Sequence, residues 1–224
     1  MFTAYICSGR IFNHVEQPER ISVYVDGFNV YYGFKRKGWE RYLWLDYRAV
    51  FERMVRPGQE LVTVNYFSAL SNREGSRQRQ QTYLNALDVR GGLTVHMGRI
   101  ESRPIKCRKC GQKSHKRQQE KETDVSMAVR MILDSEDGEC DSIWLMTNDS
   151  DLVPAVKAIV ARGTKVVIVR PPTGTGVSAG DELVHASGNP ELHVGRSIWA
   201  QSQLANELQR ARGQRRYRRP SEWS

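Results

Sequence analysis

Along this chain the hydrophobic period changes again and again, from short continuous apolar runs to stripes at helical spacing and back. "ISVYVD", closing on Asp26, is β-branched and aromatic and fits a largely buried strand. "ELVTVNYFSAL", "LTVHMGRI", "DSIWLMT" and "TKVVIVRPP" share that character, and "LHV" near residue 193 reads as a short last strand. Between them lie helical patterns. One carries Leu45, Ala49, Val50 and Met54 and stops at Pro57-Gly58; another, "SRQRQQTYLNALDVRGG", closes on a glycine pair. Val125, Ala128, Val129, Ile132 and Leu133 paint one apolar stripe, and Leu152, Ala155, Val156, Ile159 and Val160 repeat it before Gly163. Such alternation predicts a mainly parallel sheet covered on both faces by right-handed crossovers, a three-layer α/β/α fold.

With 224 residues, 39% of them hydrophobic, the chain suits one domain with extensions. The reading is an arm or added edge over 1–20, a domain over 21–196 interrupted by a basic insertion at 101–119, and an arginine-rich tail over 197–224. A net charge of +9 favours an anionic partner, nucleic acid first. No apolar run is long enough to span a bilayer and the first residues lack the pattern of a secretion signal, so a cytoplasmic protein without a membrane partner is expected. Four cysteines, unevenly placed, do not make a disulfide framework in a chain this long.

The chemistry is carried by aspartates at strand ends. In open α/β sheets ligands bind beyond the carboxyl ends of the strands, where strand order reverses. Asp26 and Asp149 both end strands, and Asp124 opens a crossover helix. If the Asp26 and "SIWLMT" strands are neighbours, these acids and Asp151 converge on one crevice. Two carboxylates about 4 Å apart repel by roughly 1 kcal/mol in water and about 4 kcal/mol at an effective dielectric of 20. Such a group either holds protons or binds a divalent cation, and hard oxygen donors select Mg2+ or Mn2+. Asn29 can orient a water or phosphate, Ser150 can cap the following helix or bond a ligand, and Lys121 can offset the charge of Asp124 or touch phosphate. Each aspartate taken alone reads first as an ordinary helix cap or first-turn acid. Taken together, "DGFN" at a strand end and one acid more than a cap needs in "NDSD" point to chemistry.

"VYVDGFNVYYG", "EKETDVSMAVRMILDS" and "DSIWLMTNDSDLVPAVKAIVARGTKVVIV" resemble, in content and order, the NYN-domain proteins, specifically the LabA-like branch of the PIN-like nucleases. The resemblance covers about residues 20 to 195. It implies a PIN-like fold and a Mg2+- or Mn2+-dependent ribonuclease site at Asp26, Asn29, Asp124, Asp149 and Asp151, with the four aspartates as metal ligands. Thr147 and Asn148 stand where relatives more often carry a small pair such as Ser-Gly.

"RPIKCRKCGQKSHKRQQEK" breaks the α/β rhythm. Cys107, Cys110 and His115 offer three zinc ligands without an evident fourth; the alternative is a solvated basic hairpin with free thiols. Nine lysines and arginines between Arg99 and Lys121, among them Arg108, Lys109, Lys116 and Arg117, suit phosphate contacts. The tail segment "RARGQRRYRRP", with Arg215 and Arg216, fits either an RNA-ordered segment or a solubilising extension. His96 reads as a packed core residue, and "PPTGTG" lacks the lysine of a Walker loop.

The leading expectation is a metal-dependent ribonuclease acting on single-stranded or structured RNA, with a homo-oligomer compatible with the sequence. A non-catalytic RNA-binding or regulatory protein is the alternative. Less favoured is a D-x-D phosphatase, whose motif belongs near the start of its domain and leaves "DGFN" without a role.

Overall fold

The computed structural model describes residues 4–7, 10–13, 17–105, 115–172, 181–211 and 213–224, of which 4–7, 10–13, 101–105 and 115–120 are described by backbone alone. Strands β1 (Ala4–Cys7) and β2 (Arg10–Asn13) form an antiparallel pair of their own, apart from the main sheet. The chain then runs β3 (Glu19–Asp26), α1 (Gly27–Arg36), α2 (Tyr47–Glu52), β4 (Gln59–Ser68), α3 (Glu74–Arg90), β5 (Thr94–Met97), β6 (Arg99–Ile105), β7 (His115–Lys121), α4 (Thr123–Glu136) and β8 (Ser142–Met146). It finishes with α5 (Val153–Val160), β9 (Lys165–Arg170), α6 (Asp181–Ser187), β10 (Leu192–His193), α7 (Arg196–Gln201), β11 (Glu207–Gln209) and β12 (Arg216–Arg218). Among the described residues no helix is long and apolar enough to cross a membrane.

Six strands build the central sheet in the order β10-β9-β8-β3-β4-β5, every neighbouring pair parallel. Alternation along each strand feeds two cores. Val23 and Val25 with Trp144, Met146, Val167 and Val169 face α1, α2, α3 and α7, whereas Tyr24 with Ile143, Leu145, Val166 and Ile168 faces α4, α5 and α6. Complete burial of such side chains contributes about 1.5–3 kcal/mol each. From β3 the chain winds outward through β4 and β5, then returns to β8 on the other flank and winds outward through β9 and β10. Right-handed crossovers that start in opposite directions lie on opposite faces, which gives the three layers. The sheet therefore reverses its winding between β3 and β8.

α4 differs from its expected face. Met127 and Met131 are fully buried, whereas Val125, Val129 and Leu133 are exposed at 68%, 50% and 48%. The phase is fixed by a polar clip: buried Asp134 accepts from the Tyr24 hydroxyl and pairs with Arg130 (2.8 Å), turning the methionine side to the sheet. The expected strand "LTVHMGRI" is also broken in two at Gly98. A Cβ there would lie 2.3 Å from Thr123 Oγ1 and 2.9 Å from the Lys121 carbonyl, so only glycine lets the chain leave the sheet beside the start of α4.

The tail over 197–224 is not a free appendage. β11 and β12 form a hairpin in which Glu207 pairs with Arg216 and Arg218. Trp223, buried, lies 6.3 Å from Trp44 and 5.8 Å from Tyr83 between ring centroids. Leu208 and Tyr217 pack on the same core. Arginine content predicts solvation, but one indole with these two neighbours is enough to anchor the segment.

Candidate active site

The register places the carboxyl ends of the two strands side by side. Val25 pairs with Met146, so Asp26 stands next to the segment Thr147–Asn148–Asp149 at the point where the winding reverses. The adjacency expected from the sequence is present.

Asp26 is 3% exposed and caps α1. It accepts hydrogen bonds from the Asn29 backbone N–H (3.0 Å), the Asn29 side-chain amide and the Thr147 hydroxyl (2.8 Å). Burial raises its pKa, the three donors oppose that rise, and the Asp149 charge adds to it. Gly27 follows because nothing larger fits: a Cβ would come within 2.6 Å of the Tyr66 ring and 2.7 Å of the Phe67 carbonyl. This draws the first turn of α1 down onto β4.

Asp149 is the cap of a 3-10 turn, Ser150–Leu152, and accepts from the Asp151 N–H (3.0 Å), while its own N–H donates to Thr147 Oγ1 (3.1 Å). Thr147 thus ties the two acidic segments together, a role that its place in the motif did not reveal. Ser150 and Asp151 are exposed, and the cap expected of Ser150 belongs to Asp149. Asn148 accepts a long contact from Arg170 (3.5 Å).

Asp124 reaches the same crevice from the first turn of α4. Its carboxyl is raised from 3.8 to about 6, by desolvation first and then by the charges of Asp149, Asp26 and Asp151. Asp124 therefore lies within electrostatic range of the other three aspartates, and Asp26 within range of Asp149. The chain enters α4 through Glu122, which has a left-handed backbone (φ 76°) and a side chain bonded by Arg99. A non-glycine residue held there costs on the order of 1 kcal/mol and marks a junction fixed by its surroundings.

Among the described residues no three His, Cys, Asp or Glu side chains are grouped to hold an ion. Asp26 and Asp149 each accept the backbone hydrogen bond of a cap. The donor set fits a hard divalent cation, because it is all carboxylate, and desolvation together with the neighbouring charges raises Asp124.

The other expected ligands divide clearly. Lys121 closes β7 opposite Arg99, next to α4. His115, Lys116 and Arg117 lie on β7, in an antiparallel hairpin with β6. Cys107, Arg108, Lys109 and Cys110 lie outside the described residues. Arg215 stacks over Tyr217 (5.8 Å) and Arg216 is paired to Glu207, both on the hairpin that packs against α3. His96 is part-buried, stacked on Phe67 at 4.4 Å and bonded to Asn65 (2.9 Å), so it belongs to the core.

The model of the NYN domain family matches residues 20–187 of the chain. A protein of Pseudomonas putida named 6-hydroxy-3-succinoylpyridine 3-monooxygenase HspA is 27% identical, over 84% of this chain and 71% of its own length. A crystal structure of a Vibrio parahaemolyticus protein of unknown function superposes with a TM-score of 0.53 at 22% identity, covering 82% of this chain and 97% of that one. This likeness concerns the fold.

Proposed function

The chain belongs to the NYN domain family, within the PIN-like nuclease superfamily, and from that premise we propose that it is a divalent-metal-dependent ribonuclease whose reaction occurs at the Asp26–Asp124–Asp149–Asp151 crevice. One observation carries the reading. Carboxylates from three separate segments approach the reversal of the sheet, and desolvation first, then the charges of Asp149, Asp26 and Asp151, lift Asp124 to about 6.

The four aspartates would hold Mg2+ or Mn2+, which when bound supplies charge for a phosphoryl oxygen and a water of lowered pKa. The protein's own part is positioning. Asn29 and Thr147 fix Asp26 by three donated hydrogen bonds, so one carboxylate is oriented before any ligand arrives. Thr147 also bonds the Asp149 N–H, which sets the spacing of the two strand-end acids. Without an ion, the Asp124 carboxyl exchanges its proton near pH 6. The basic hairpin, joined directly to α4, supplies positive charge along the approach of a polyanion.

Cleavage of a labelled RNA is expected with Mn2+ or Mg2+, and loss is expected with chelator or in Asp149→Asn. Cutting that survives both treatments would place the reaction elsewhere. Binding without cutting, with either ion, would make this a regulatory RNA-binding protein.

A second reading follows from the relative named as a monooxygenase. In that case the crevice serves a small aromatic substrate. Product formation from 6-hydroxy-3-succinoylpyridine with dioxygen and a two-electron donor such as reduced nicotinamide supplied, sensitive to Asp149→Asn and with RNA left intact, would favour it.

A further inference from the structure

A second feature opens along the same edge of the sheet. Beyond the ends of β9 and β10 lies a groove of about 310 Å³ whose walls include Lys37, Trp39, Arg170 and Arg196 together with Asp181 and Glu191, both carboxylates being paired to Arg170. α1 joins it to the acidic crevice: Asp26 caps the helix at one end and Lys37 at the other, about 15 Å apart for 10 residues. The helix can lie against Pro172 only because residue 33 is glycine, since a Cβ there would meet the Pro172 carbonyl oxygen at 1.9 Å. Arg170 spans the gap on the other side, bonding Asp181 and reaching Asn148, the residue before Asp149.

The composition of the groove is specific. Trp39 is partly exposed and two cations stand over its ring, Lys37 Nζ at 4.7 Å and Arg196 Cζ at 5.3 Å from the centroid. Arg196 is held there from α7, whose Trp199 is buried edge-on against Phe34 of α1 (5.2 Å), and its Nε also donates to the Tyr42 hydroxyl (3.4 Å). Arg41 lies over the neighbouring Tyr42 ring at 5.0 Å. An indole bordered by flexible cations, at the rim of a crevice meant for a phosphodiester, matches what a single-stranded nucleic acid requires: a face on which a base can stack and charges for the phosphates on either side. An exposed cation–π contact is weaker than base stacking, so an arriving base displaces the Lys37 ammonium from the ring toward phosphate.

We propose that this groove is a nucleotide subsite, in which Trp39 stacks on a base of single-stranded RNA and Lys37 and Arg196 neutralise its flanking phosphates. The inference rests on the ribonuclease reading for the identity of the polymer. It assigns to residues beyond the matched family segment, Arg196 in particular, a part in holding the strand on course to the crevice.

The test measures binding of the full chain to oligouridylate in the presence of chelator, where no metal-dependent cleavage occurs, with polyphosphate as a ligand that has charge but no bases. Trp39→Ala is expected to weaken oligouridylate binding roughly 5- to 150-fold and leave polyphosphate binding unchanged, with Trp39→Phe restoring most of it. Lys37→Ala and Arg196→Ala are each expected to flatten the salt dependence by a slope of about 0.7. Oligouridylate binding within twofold of wild type in Trp39→Ala, or an equal loss for both ligands, would overturn the proposal. Should Trp39→Ala fail to fold, Lys37→Ala decides through its salt slope, since the side chain is exposed and carries no core. A wild-type chain that cuts RNA while Trp39→Ala binds normally removes the subsite alone. One that never cuts but loses binding in Trp39→Ala removes the hydrolytic reading alone.

Discussion

Asp124→Asn should make the protein more stable, and only where the carboxyl is ionised. In the folded chain the group titrates at about 6 against an ordinary 3.8, because it is partly desolvated and faces Asp149, Asp26 and Asp151. Moving a carboxyl that far penalises its ionised form by at most about 3 kcal/mol. Asp124 is only half-buried, so solvent screening reduces this to roughly 1–1.5 kcal/mol. The first turn of α4 returns about 0.3–0.5 kcal/mol through its dipole, the low end because salt screens it, and the substitution also removes this. The net gain is therefore on the order of 0.5–1 kcal/mol, about 1–4 °C in melting temperature for a chain of this size. A folded-state pKa above the unfolded one means that the fold holds this proton more tightly. Wild type is then favoured in acid and loses stability as pH rises from about 4 through about 6. The assay is thermal unfolding in chelator at pH 7.5 and pH 4.5, with an excess of the variant at the first that largely closes at the second. A variant at or below wild type at pH 7.5, or an equal gap at both pH values, would refute the account of the crevice as a reservoir of repulsion.

Thr147→Val removes a donor from buried Asp26 and an acceptor from the Asp149 N–H; a loss of about 1–3 kcal/mol in urea unfolding is expected, with cleavage reduced further than stability. Gly33→Ala sets a methyl group against the Pro172 carbonyl, where both sides are backbone and no rotamer relieves the clash; a cost of about 1–3 kcal/mol or more should appear in the same measurement. Trp223→Ala empties the contact with Trp44 and Tyr83 and should cost about 3 kcal/mol by calorimetry, whereas a solvated tail would show no change.

What could be read from residues alone followed the strength of the local signal. Strand positions around Val23–Val25, Ile143–Leu145 and Val166–Val169 are continuous apolar runs with no other stable solution in water, and all lie in the sheet. Asp26 and Asp149 were legible as strand-end acids because Gly27 and the helix after Leu152 punctuate them. Thr147 was not: a threonine closing a strand is ordinary until its hydroxyl is seen between two carboxylate segments. The phase of α4 escaped because Val129 and Leu133 are more hydrophobic by type than the side holding Asp134, and the bond from the buried Tyr24 hydroxyl to buried Asp134, with half-exposed Arg130 beside it, reverses that order. The tail was misjudged for a related reason. Its arginines dominate composition, while one indole, Trp223, decides where it goes.

The pairing of Arg99 with Lys121 fastens the neck of the β6–β7 hairpin at the root of α4. The start of the helix that carries Asp124 is thus tied to the base of the hairpin and not to its tip. Shortening the hairpin beyond its neck is therefore expected to leave the acidic crevice where it is, so that an anchor and an overhang can be altered one at a time.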